Sequence, residues 1–481
     1  MTEFIFKTDP YDHQLQALTE SCDKEEYALF MEMGCGKSKV AIDNFVYLYG
    51  QSKIYNVLIV APKGVYNNWI AKEIPTHMPD HVTHDIVKWQ SSHTKKFEKE
   101  MEKLFEFDFK LKILVMNIDA FSTKKGCQYA SKFIQHNKTM FIIDESTTIK
   151  NPEAKRTASC VRLGKYAHYR RILTGSPITK SPLDLYSQCM FLDPAVLGFS
   201  SFYSFRARYA DLVEKRGQGR TFKFVAGYKN LEELNETLEK FSHRVLKKDC
   251  LDLPEKVYMR REIQMTPDQV KAYKELQRFS VTQLKNTKTV TINHVITQII
   301  RLHQISCGFT VTDDGITTEI ASQRLPELLS IIEETDGKMI IWANYRYDIQ
   351  RIEKTLKEIY GNNSVGTYYG GVEQSEREQV IEDFQDPDSP LRFFVGNTQT
   401  GGYGITLTAA STVVYYSNNY DLEKRLQSED RAHRIGQVNK VTYIDIVCDK
   451  TVDEKIVKAL RKKQSIASLV LGEERITDWL V

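Results

Sequence analysis

The stretch MEMGCGKS, residues 31–38, combines residue types that suit phosphate chemistry. Gly34 and Gly36 carry no side chain, so backbone N–H groups there can approach a phosphate closely. Lys37 could neutralise the charge of the β- and γ-phosphates, and the Ser38 hydroxyl could bind Mg²⁺. The strict phosphate-loop pattern begins with glycine where this chain has methionine. An ordinary glycine-containing turn is therefore the alternative.

Two adjacent carboxylates end an apolar run further along the chain. The run MFII leads into Asp144 and Glu145, and two buried carboxylates are costly unless they meet a cation or a substrate. Asp144 is placed to hold Mg²⁺ through water, and Glu145 to orient and deprotonate an attacking water. Solvated loop acids are the alternative. A strand-end pair about a hundred residues after a phosphate loop nevertheless favours the roles in Mg²⁺ and water binding.

A third candidate is QSEDRAHRIGQ, residues 427–437. Arg431 and Arg434 are three residues apart, so on a helix both side chains share one face, with Gln427 one turn earlier. Two guanidiniums on one face suit a polyphosphate and can stabilise charge at a γ-phosphate. The glycine-rich TGGYG that ends at Gly404 favours a close approach of the backbone to a ligand. A surface helix with ordinary ion pairs is the alternative.

Short apolar segments rich in β-branched residues must position these groups. They recur in both halves of the chain, at 57–62, 113–117, 140–145, 171–177 and 338–344, and in VGTYYGG, RFFVGN, TVVYYS and TYIDIV. Longer helix-patterned stretches separate them, and this alternation predicts parallel sheets that are buried on both faces. Ligands of such sheets gather at the carboxyl ends of the strands. We therefore predict two α/β lobes, one that binds a nucleoside triphosphate and Mg²⁺ and one that offers arginines.

The alternation stops between the two halves, and this break defines the predicted domains. They are lobe 1 (1–189), a helical and hairpin insertion (190–242), a connector with a helical insertion of lobe 2 (243–321), lobe 2 (322–450) and a C-terminal brace helix (451–481). The hairpin VEKRGQGRTFKFVAG is basic through Lys215, Arg216, Arg220 and Lys223. DNA contact and a solvated turn are both open for this hairpin.

Composition limits the class of protein. The net charge of +3 gives no global basic field, so any nucleic-acid surface must be a local patch or cleft. The 8 cysteines form no Cys-x-x-Cys pair, which favours a reducing compartment and no structural metal. The chain has neither a signal-peptide pattern nor an apolar run of membrane-spanning length. We expect a cytoplasmic, monomeric protein with no membrane partner.

The ordered motifs resemble those of the Swi/Snf-like double-stranded-DNA translocases among the superfamily-two helicases. The resemblance rests on Gln14, MEMGCGKS, LIVAPKGVYNNW, VMNIDAF, DESTTIKN, LTGSPIT, TQTGGYGITLTAAS and QSEDRAHRIGQ. The last block, the IKN after the acidic pair, and LKKDCLDLPEK followed by RLHQISCGF are diagnostic. The resemblance covers residues 9 to about 472. It implies two tandem RecA-like lobes with short helical insertions and a DNA-dependent ATPase that uses ATP and Mg²⁺.

The resemblance also implies a role for each matching residue. Gln14 would contact adenine, while the loop Gly34, Cys35, Gly36, Lys37 and Ser38 would cradle the phosphates and, with Asp144, the metal. Glu145 would serve the water, and Arg431 and Arg434 would be arginine fingers, supported by Gln427. Thr174 and Ser176 would couple nucleotide state to movement. The residues expected near the DNA backbone are Lys63, Asn117, Asn344, Thr398 and Thr400.

One departure from the family pattern affects the expected coupling between sites. The box reads DEST, and Thr147 stands where a histidine often helps link the nucleotide and DNA sites. The insertions are short, and the chain shows no histone-reading module. These features favour a compact bacterial or bacteriophage motor for replication, recombination or repair that acts on double-stranded or branched DNA.

Two other functions remain open from the sequence. One is an RNA-dependent ATPase or helicase of the same superfamily. The other is a nucleotide-gated DNA-binding clamp whose hydrolysis is vestigial. Cys35, inside the phosphate loop, is interpreted as a small space-filling residue, with a redox switch as the alternative.

Overall fold

The computed structural model shows two compact units. The first contains residues 4–250 and 463–471, and the second contains residues 253–462. The structure describes residues 4–63, 65–92, 94–106, 108–217, 220–250, 253–286, 292–312, 314–401 and 405–471.

A parallel sheet forms the centre of the first unit. Its strands are β1 (Glu26–Met31), β2 (Asn56–Ala61), β3 (His84–Lys88), β4 (Leu111–Asn117), β5 (Thr139–Asp144), β6 (Tyr169–Leu173) and β9 (Ser242–Val245). In the described part of the chain the spatial order is β3-β4-β2-β5-β6-β1-β9, and every neighbouring pair is parallel. The carboxyl ends of these strands therefore meet at one edge of the sheet, where ligands of parallel sheets bind.

Helices cover both faces of this sheet. They are α1 (Asp12–Ser21), α2 (Lys37–Gly50), α3 (Tyr66–Asn68), α4 (Ile74–His77), α5 (Lys95–Lys103), α6 (Lys124–His136), α7 (Lys155–Gly164), α8 (Leu185–Leu192), α9 (Phe202–Tyr209), α10 (Leu231–Glu239) and α11 (Lys247–Cys250). Shorter turns are the π-helical Trp69–Glu73 and the 3₁₀ segments Ile118–Ser122, Ser146–Ile149 and Pro182–Asp184. Successive residues of β2 alternate between two buried clusters, since Leu58 and Val60 belong to one and Val57 and Ile59 to the other.

An antiparallel hairpin follows α9. It pairs β7 (Ala210–Gly217) with β8 (Arg220–Tyr228), as the sequence predicts. Lys223 lies in the described part of the hairpin and forms an ion pair with Glu214 at 3.4 Å. The side chains of Lys215, Arg216 and Arg220 lie outside the described residues.

The second unit has its own parallel sheet. Its strands are β10 (Lys256–Ile263), β13 (Lys338–Trp342), β14 (Val365–Tyr368), β15 (Phe393–Gly396), β16 (Ala410–Tyr415) and β17 (Val441–Cys448). In the described residues the order is β10-β17-β16-β13-β15-β14, again with parallel neighbours. The short strands β11 (Phe309–Val311) and β12 (Thr317–Glu319) form a separate antiparallel pair.

Helices alternate with these strands. They are α12 (Pro267–Asn286), α13 (Ile292–Cys307), α14 (Arg324–Glu333), α15 (Arg346–Tyr360), α16 (Gln374–Gln385), α17 (Thr398–Gly401), α18 (Leu422–Ala432) and α19 (Val452–Val470), with a 3₁₀ turn at Asn362–Ser364. The residues of α19 from 463 onward belong to the first unit. The predicted apolar face of α15 is correct for Ile349, Ile352 and Leu356, which are buried. Ile359 is 53 % exposed, because it lies in the last turn of the helix, beyond the part that covers the sheet.

The predicted fold class, two α/β lobes with parallel sheets, is confirmed. The structure differs from the predicted domain map at two places. β9 belongs to the first sheet, although the map assigns residues from 243 onward to the connector. β10 pairs along its full length with β17, so this part of the connector region is a strand of the second sheet. Among the described residues, no helix combines the length and apolarity needed to cross a membrane.

Candidate functional site

The phosphate-loop candidate lies between the end of β1 and the start of α2. Gly34 and Gly36 have φ angles of 90° and 85°, a left-handed conformation that glycine adopts without strain. A Cβ atom on Gly36 would lie 2.2 Å from Nε2 of Gln14, so this position also requires the absence of a side chain. The helix α2 begins directly after Gly36, and its first backbone N–H groups point into the loop. This geometry suits an anion.

Lys37 is buried at the first turn of α2. Its Nζ donates to the backbone carbonyl oxygens of Met31, at 2.9 Å, and Glu32, at 3.4 Å. Neutral carbonyls hold the ammonium in place without cancelling its charge. A phosphate that entered the loop would offer this ammonium a stronger, charged acceptor.

Gln14 packs directly against the phosphate loop. Its Nε2 donates to the carbonyl oxygen of Cys35 at 3.3 Å, and its Oε1 accepts from the backbone N–H of Tyr11 at 3.1 Å. A ring nitrogen of His13 lies 2.9 Å from the same Cys35 carbonyl. The structure therefore gives Gln14 a bracing role at the loop. Its predicted contact with adenine stays a prediction.

The acidic pair lies at the carboxyl end of β5, on the same edge of the sheet as the phosphate loop. Burial raises the pKa of Asp144, whereas the positive charge of Lys37 and a hydrogen bond from Trp69 lower it. Glu145 is buried and adopts φ 50° and ψ 61°, a left-handed conformation that is uncommon for a residue with a side chain. Such strain is found at functional sites, where the surrounding structure enforces it.

Two hydrogen bonds fix the carboxylate of Asp144. Its Oδ1 accepts from the backbone N–H of Glu145 at 3.0 Å, and its Oδ2 accepts from the indole Nε1–H of Trp69 at 2.9 Å. Trp69 is fully buried and opens the π-helical turn after β2. Trp69 lies within the motif LIVAPKGVYNNW, but the sequence alone predicts no role for it, because its partner Asp144 lies 75 residues away.

The predicted coupling residues lie after β6 and connect to the acidic box. Thr174 is buried, and its Oγ1 accepts from the backbone N–H of Ser176 at 3.2 Å. Gln188 bridges the two motifs, since its Oε1 accepts from the Ser146 hydroxyl at 2.7 Å and its Nε2 donates to the Pro177 carbonyl at 2.8 Å. Gln188 thus links the two motifs by hydrogen bonds, and the predicted coupling role of Thr174 and Ser176 stays a prediction.

β9 and the segment after it contact the surroundings of the phosphate loop. In β9, Arg244 donates from one guanidinium nitrogen to the carbonyls of Phe30 in β1 and Gly175 after β6, each at 2.9 Å. The Cys250 sulfur lies 3.7 Å from that of Cys35, which is fully buried. Burial raises the pKa of the Cys35 thiol, in keeping with its interpretation as a space-filling residue.

The predicted DNA contacts of the first unit line one groove, which we call the basic groove. Its volume is about 680 Å³, and Lys63, Tyr66, Lys88, Trp89, Asn117 and Lys125 lie along it. The Lys88 ammonium stacks over the ring of Tyr66 at 4.8 Å from the centroid. The exposed Lys63 and Lys125 and the half-buried Lys88 suit contacts with the phosphates of a nucleic-acid backbone. The groove thus brings Lys63 and Asn117 together.

The oxygen atoms of Ser38 and Asp144 fit the donor preference of Mg²⁺. Each oxygen of the Asp144 carboxylate accepts one N–H and keeps a lone pair for another partner. Among the residues that the structure describes, no group of three or more His, Cys, Asp or Glu side chains is placed to hold a metal ion. Mg²⁺ is commonly held by one or two protein oxygens together with water and substrate phosphates.

In the second unit, two of the predicted DNA contacts join an amide network at the carboxyl ends of β13 and β15. The Asn344 backbone N–H donates to the Ser417 hydroxyl at 2.8 Å, and the Asn344 carbonyl accepts from Asn397 at 3.0 Å. Asn419 donates to the Thr398 hydroxyl at 3.3 Å. Sequence reasoning missed Ser417, Asn397 and Asn419. Their signal was weak: Asn397 directly follows β15, whereas Ser417 and Asn419 lie two and four residues beyond the end of β16.

Thr400 and Gly404 complete the predicted set of this unit. Thr400 is half-buried in α17, and its backbone N–H donates to the Asn397 carbonyl at 3.2 Å. Gly404 lies outside the described residues.

The prediction that Arg431 and Arg434 share one helical face is wrong. α18 ends at Ala432, so Arg434 lies in the following turn, where its carbonyl accepts from the backbone N–H of Gln437 at 2.9 Å. The Gln437 side chain also donates to the Ala432 carbonyl at 3.1 Å and so closes the helix. Gln427 does lie one turn before Arg431 on α18.

Arg431 and Gln427 are both buried. Arg431 is 1 % exposed and donates to the Ile405 carbonyl at 3.1 Å. Gln427 Nε2 donates to Glu423 at 3.4 Å. Arg425, to which the sequence assigned no role, contacts Asp445 at 2.5 Å and Glu429 at 2.8 Å. Arg434 is half-buried.

Comparison with known families identifies the chain. The family model described as the SNF2-related domain matches residues 14–310, more than half of the chain, and the helicase conserved C-terminal domain matches residues 321–436. These two domains define the helicase class of enzymes. The chain belongs to the SNF2-related family, and the predicted Swi/Snf-like resemblance is confirmed.

Curated relatives include longer proteins of several kinds. The chain is 27 % identical to the ISWI chromatin-remodeling complex ATPase of Saccharomyces cerevisiae, over 92 % of this chain and 38 % of that protein. It is 25 % identical to a putative ATP-dependent helicase/translocase of Bacillus subtilis, over 92 % of this chain and 46 % of that protein. The chain thus spans between about a quarter and a half of such relatives. A solved Sulfolobus solfataricus SWI2/SNF2 ATPase core in complex with dsDNA is 23 % identical, with a TM-score of 0.44 and coverage of 97 % of this chain and 95 % of that one.

Proposed function

We propose that this chain hydrolyses ATP and uses the released free energy to move along or remodel double-stranded or branched DNA. The observation that carries the proposal is the position of Lys37 and of the acidic pair at the same carboxyl edge of the first parallel sheet. A cation for phosphate, a carboxylate for a metal and a second carboxylate for water are the parts that phosphoryl transfer to water needs.

Each residue of the first unit has a defined task in this proposal. The N–H groups of the loop and Lys37 hold the phosphates, and Gln14 lies beside them toward the base. Ser38 and Asp144 would hold Mg²⁺, which when bound neutralises charge on the phosphate oxygens. Glu145 orients and deprotonates the attacking water. We also propose that Arg431 and Arg434 act as arginine fingers, which stabilise negative charge at the γ-phosphate.

The basic groove supports nucleic acid as the activating partner. Its lysines suit phosphate contacts, which carry no sequence information and therefore fit a motor that must step along any duplex. The relatives include a chromatin-remodelling complex ATPase and a putative bacterial helicase/translocase, and the similarity to each covers 92 % of this chain. We propose a role in replication, recombination or repair.

The decisive experiment is steady-state ATP hydrolysis without nucleic acid and with blunt duplex, branched DNA, single-stranded DNA or RNA. Lys37→Ala serves as the blank, because it removes the ammonium at the phosphate loop. We expect strong stimulation by duplex or branched DNA, and ATP-dependent displacement of the third strand from a DNA triplex. Stimulation by RNA alone would indicate an RNA-dependent ATPase. Duplex binding without turnover would indicate a nucleotide-gated clamp.

A further inference from the structure

One short segment joins the basic groove to the acidic pair. After β2, Lys63 and Tyr66 line the groove, and the same segment continues into the π-helical turn that Trp69 opens. The Trp69 side chain is fully buried in the core of the first unit and donates from Nε1 to Asp144 Oδ2 at 2.9 Å. Within seven residues the chain thus passes from a surface suited to phosphates to the carboxylate assigned to the metal.

The local backbone explains why the indole reaches this carboxylate. A π-helical turn contains one residue more per hydrogen bond than an α-helix, and such turns occur frequently at functional sites. The indole N–H is a donor only, so it can fix the orientation of Asp144 without supplying or removing charge. Partners of metal ligands that act in this way tune both affinity and geometry.

We propose that Trp69 is a positioning residue that transmits occupancy of the basic groove to the Asp144 carboxylate. The inference rests on the proposed function. A duplex backbone held by Lys63 and beside Tyr66 restrains the segment, and the restrained segment keeps the Trp69 N–H on Asp144 during turnover. This route requires no histidine in the acidic box, where this chain has Thr147.

The test replaces the indole N–H while keeping an aromatic ring. In Trp69→Phe we expect the affinity for Mn²⁺ in the presence of ADP, measured by electron paramagnetic resonance, to fall about tenfold. The affinity for ADP without metal, measured with a fluorescent ADP analogue, should change less than twofold. The ratio of duplex-stimulated to basal turnover should fall about fivefold or more, roughly the effect of losing one such partner.

Trp342→Phe is the matched control. Trp342 is also fully buried, but within the described structure its Nε1 has no hydrogen-bond partner. Both variants lose ring volume, so both should lower the melting temperature. Only Trp69→Phe should weaken Mn²⁺ binding and duplex stimulation. Equal losses in the two variants would overturn the inference, as would wild-type Mn²⁺ affinity together with full stimulation in Trp69→Phe.

A second measurement needs no substitution at Trp69. Wild-type protein labelled with 5-fluorotryptophan gives one fluorine resonance per indole, and the resonance of Trp69 is assigned by elimination. We expect it to shift when duplex binds without nucleotide and again when Mg²⁺ and ADP are added. If the chemical shift of the Trp69 resonance does not change when duplex is added, the inference is overturned, even if Trp69→Phe fails to fold. Absence of duplex stimulation in the wild type would instead contradict the proposed function, and the Mn²⁺ titration would still decide whether Trp69 positions Asp144.

Discussion

The two units treat their predicted site residues differently. In the first, Lys37 donates only to neutral carbonyls, and each oxygen of Asp144 keeps a lone pair. In the second, Arg431 is 1 % exposed and donates to the Ile405 carbonyl, while Gln427 donates to Glu423. Lys37 and Arg431 both donate to neutral carbonyls, but Arg431 is the more deeply buried, since Lys37 is 8 % exposed. We therefore expect the groups of the first unit to receive a ligand with less rearrangement than Arg431.

The predicted site residues of the two units therefore differ in what they do in the described structure. In the proposed function, the groups of the first unit act as a preorganised site, because fixed dipoles and charges lie at one edge of a sheet. In the described structure the buried guanidinium of Arg431 donates to the Ile405 carbonyl. An arginine-finger role for Arg431 therefore predicts a second conformation that bound substrate stabilises. The following predictions test this contrast.

The largest expected effect belongs to the first unit. Glu145→Gln keeps the size of the side chain but removes the base, so we expect turnover to fall at least about a hundredfold. Nucleotide binding, followed with a fluorescent ATP analogue, should stay within a few-fold of wild type. Lys37→Ala is the counterpart, which should lose binding as well. Turnover equal to wild type in Glu145→Gln would show that this site is no hydrolase and would support the clamp.

The two arginines of the second unit provide the sharper comparison. Arg434→Ala removes a half-buried charge, and as an arginine finger it should lower turnover about a hundredfold with an unchanged melting temperature. Arg431→Ala also removes a buried partner of the Ile405 carbonyl, so it should lower both turnover and melting temperature. Calorimetry beside the ATPase assay separates the two outcomes. A loss of stability without loss of turnover in Arg431→Ala would restrict this arginine to a structural role.

The fold follows from the sequence wherever a strand is a continuous apolar run. β2, β4 and β5 are such runs, buried between two layers of helices. β9 and β10 escaped prediction because they lie at the sheet edges, where SHRV and KVYMRREI need not be apolar. A sheet-edge strand is specified by its pairing with a distant neighbour, which periodicity does not report.

The site divides in the same way. Some site residues are neighbours in the sequence, so their spacing alone identified them as candidates. These are the loop glycines with Lys37, and the acidic pair. Trp69 and Arg244 act on partners 75 and 69 residues distant, and only the sheet brings these groups together. Arg434 was misplaced for a related reason, since the helix is closed by the side chain of Gln437 and not by a residue with a strong helix-ending preference.

The two units also differ in how they accommodate a buried carboxylate, and this difference affects the stability of the folded protein. Asp144 has two N–H donors, whereas both carboxylate oxygens of Asp348 in the second unit lack a partner in the described structure. Burial raises the pKa of Asp348 from 3.8 to about 7, and the charges of Arg351 and Arg324 offset part of that effect. The folded state therefore binds a proton that the unfolded state releases, and this contribution to stability is lost as the pH rises from about 4 through 7.

Asp348→Asn should remove this pH dependence, because asparagine stays neutral. At pH 8 we expect the variant to melt roughly 2–6 °C above wild type. At pH 5 the difference should fall to about two fifths of that value, because the unfolded carboxyl still releases its proton there. Differential scanning calorimetry at both pH values measures it. Asp445→Asn is the contrasting variant, since Asp445 is an ion-pair partner of Arg425 and its loss should destabilise the protein at pH 8. A destabilised Asp348→Asn at pH 8 would mean that this carboxylate is charged and paired.

The smallest effect concerns the basic groove of the first unit. Lys63 is exposed, and a single phosphate contact contributes modestly, so Lys63→Ala should raise the duplex concentration for half-maximal stimulation about threefold. Basal turnover should not change, and the slope of affinity against salt should fall by about one. Lys138→Ala is the control, because Lys138 is equally exposed but precedes β5 at the opposite edge of the sheet. Equal effects of the two substitutions would mean that Lys63 contributes only general surface charge and makes no specific phosphate contact in the basic groove. A larger loss of duplex affinity in Lys63→Ala than in Lys138→Ala would support the contrast between the two units. Nucleotide and nucleic acid would then both bind to side chains that the first unit already holds in place.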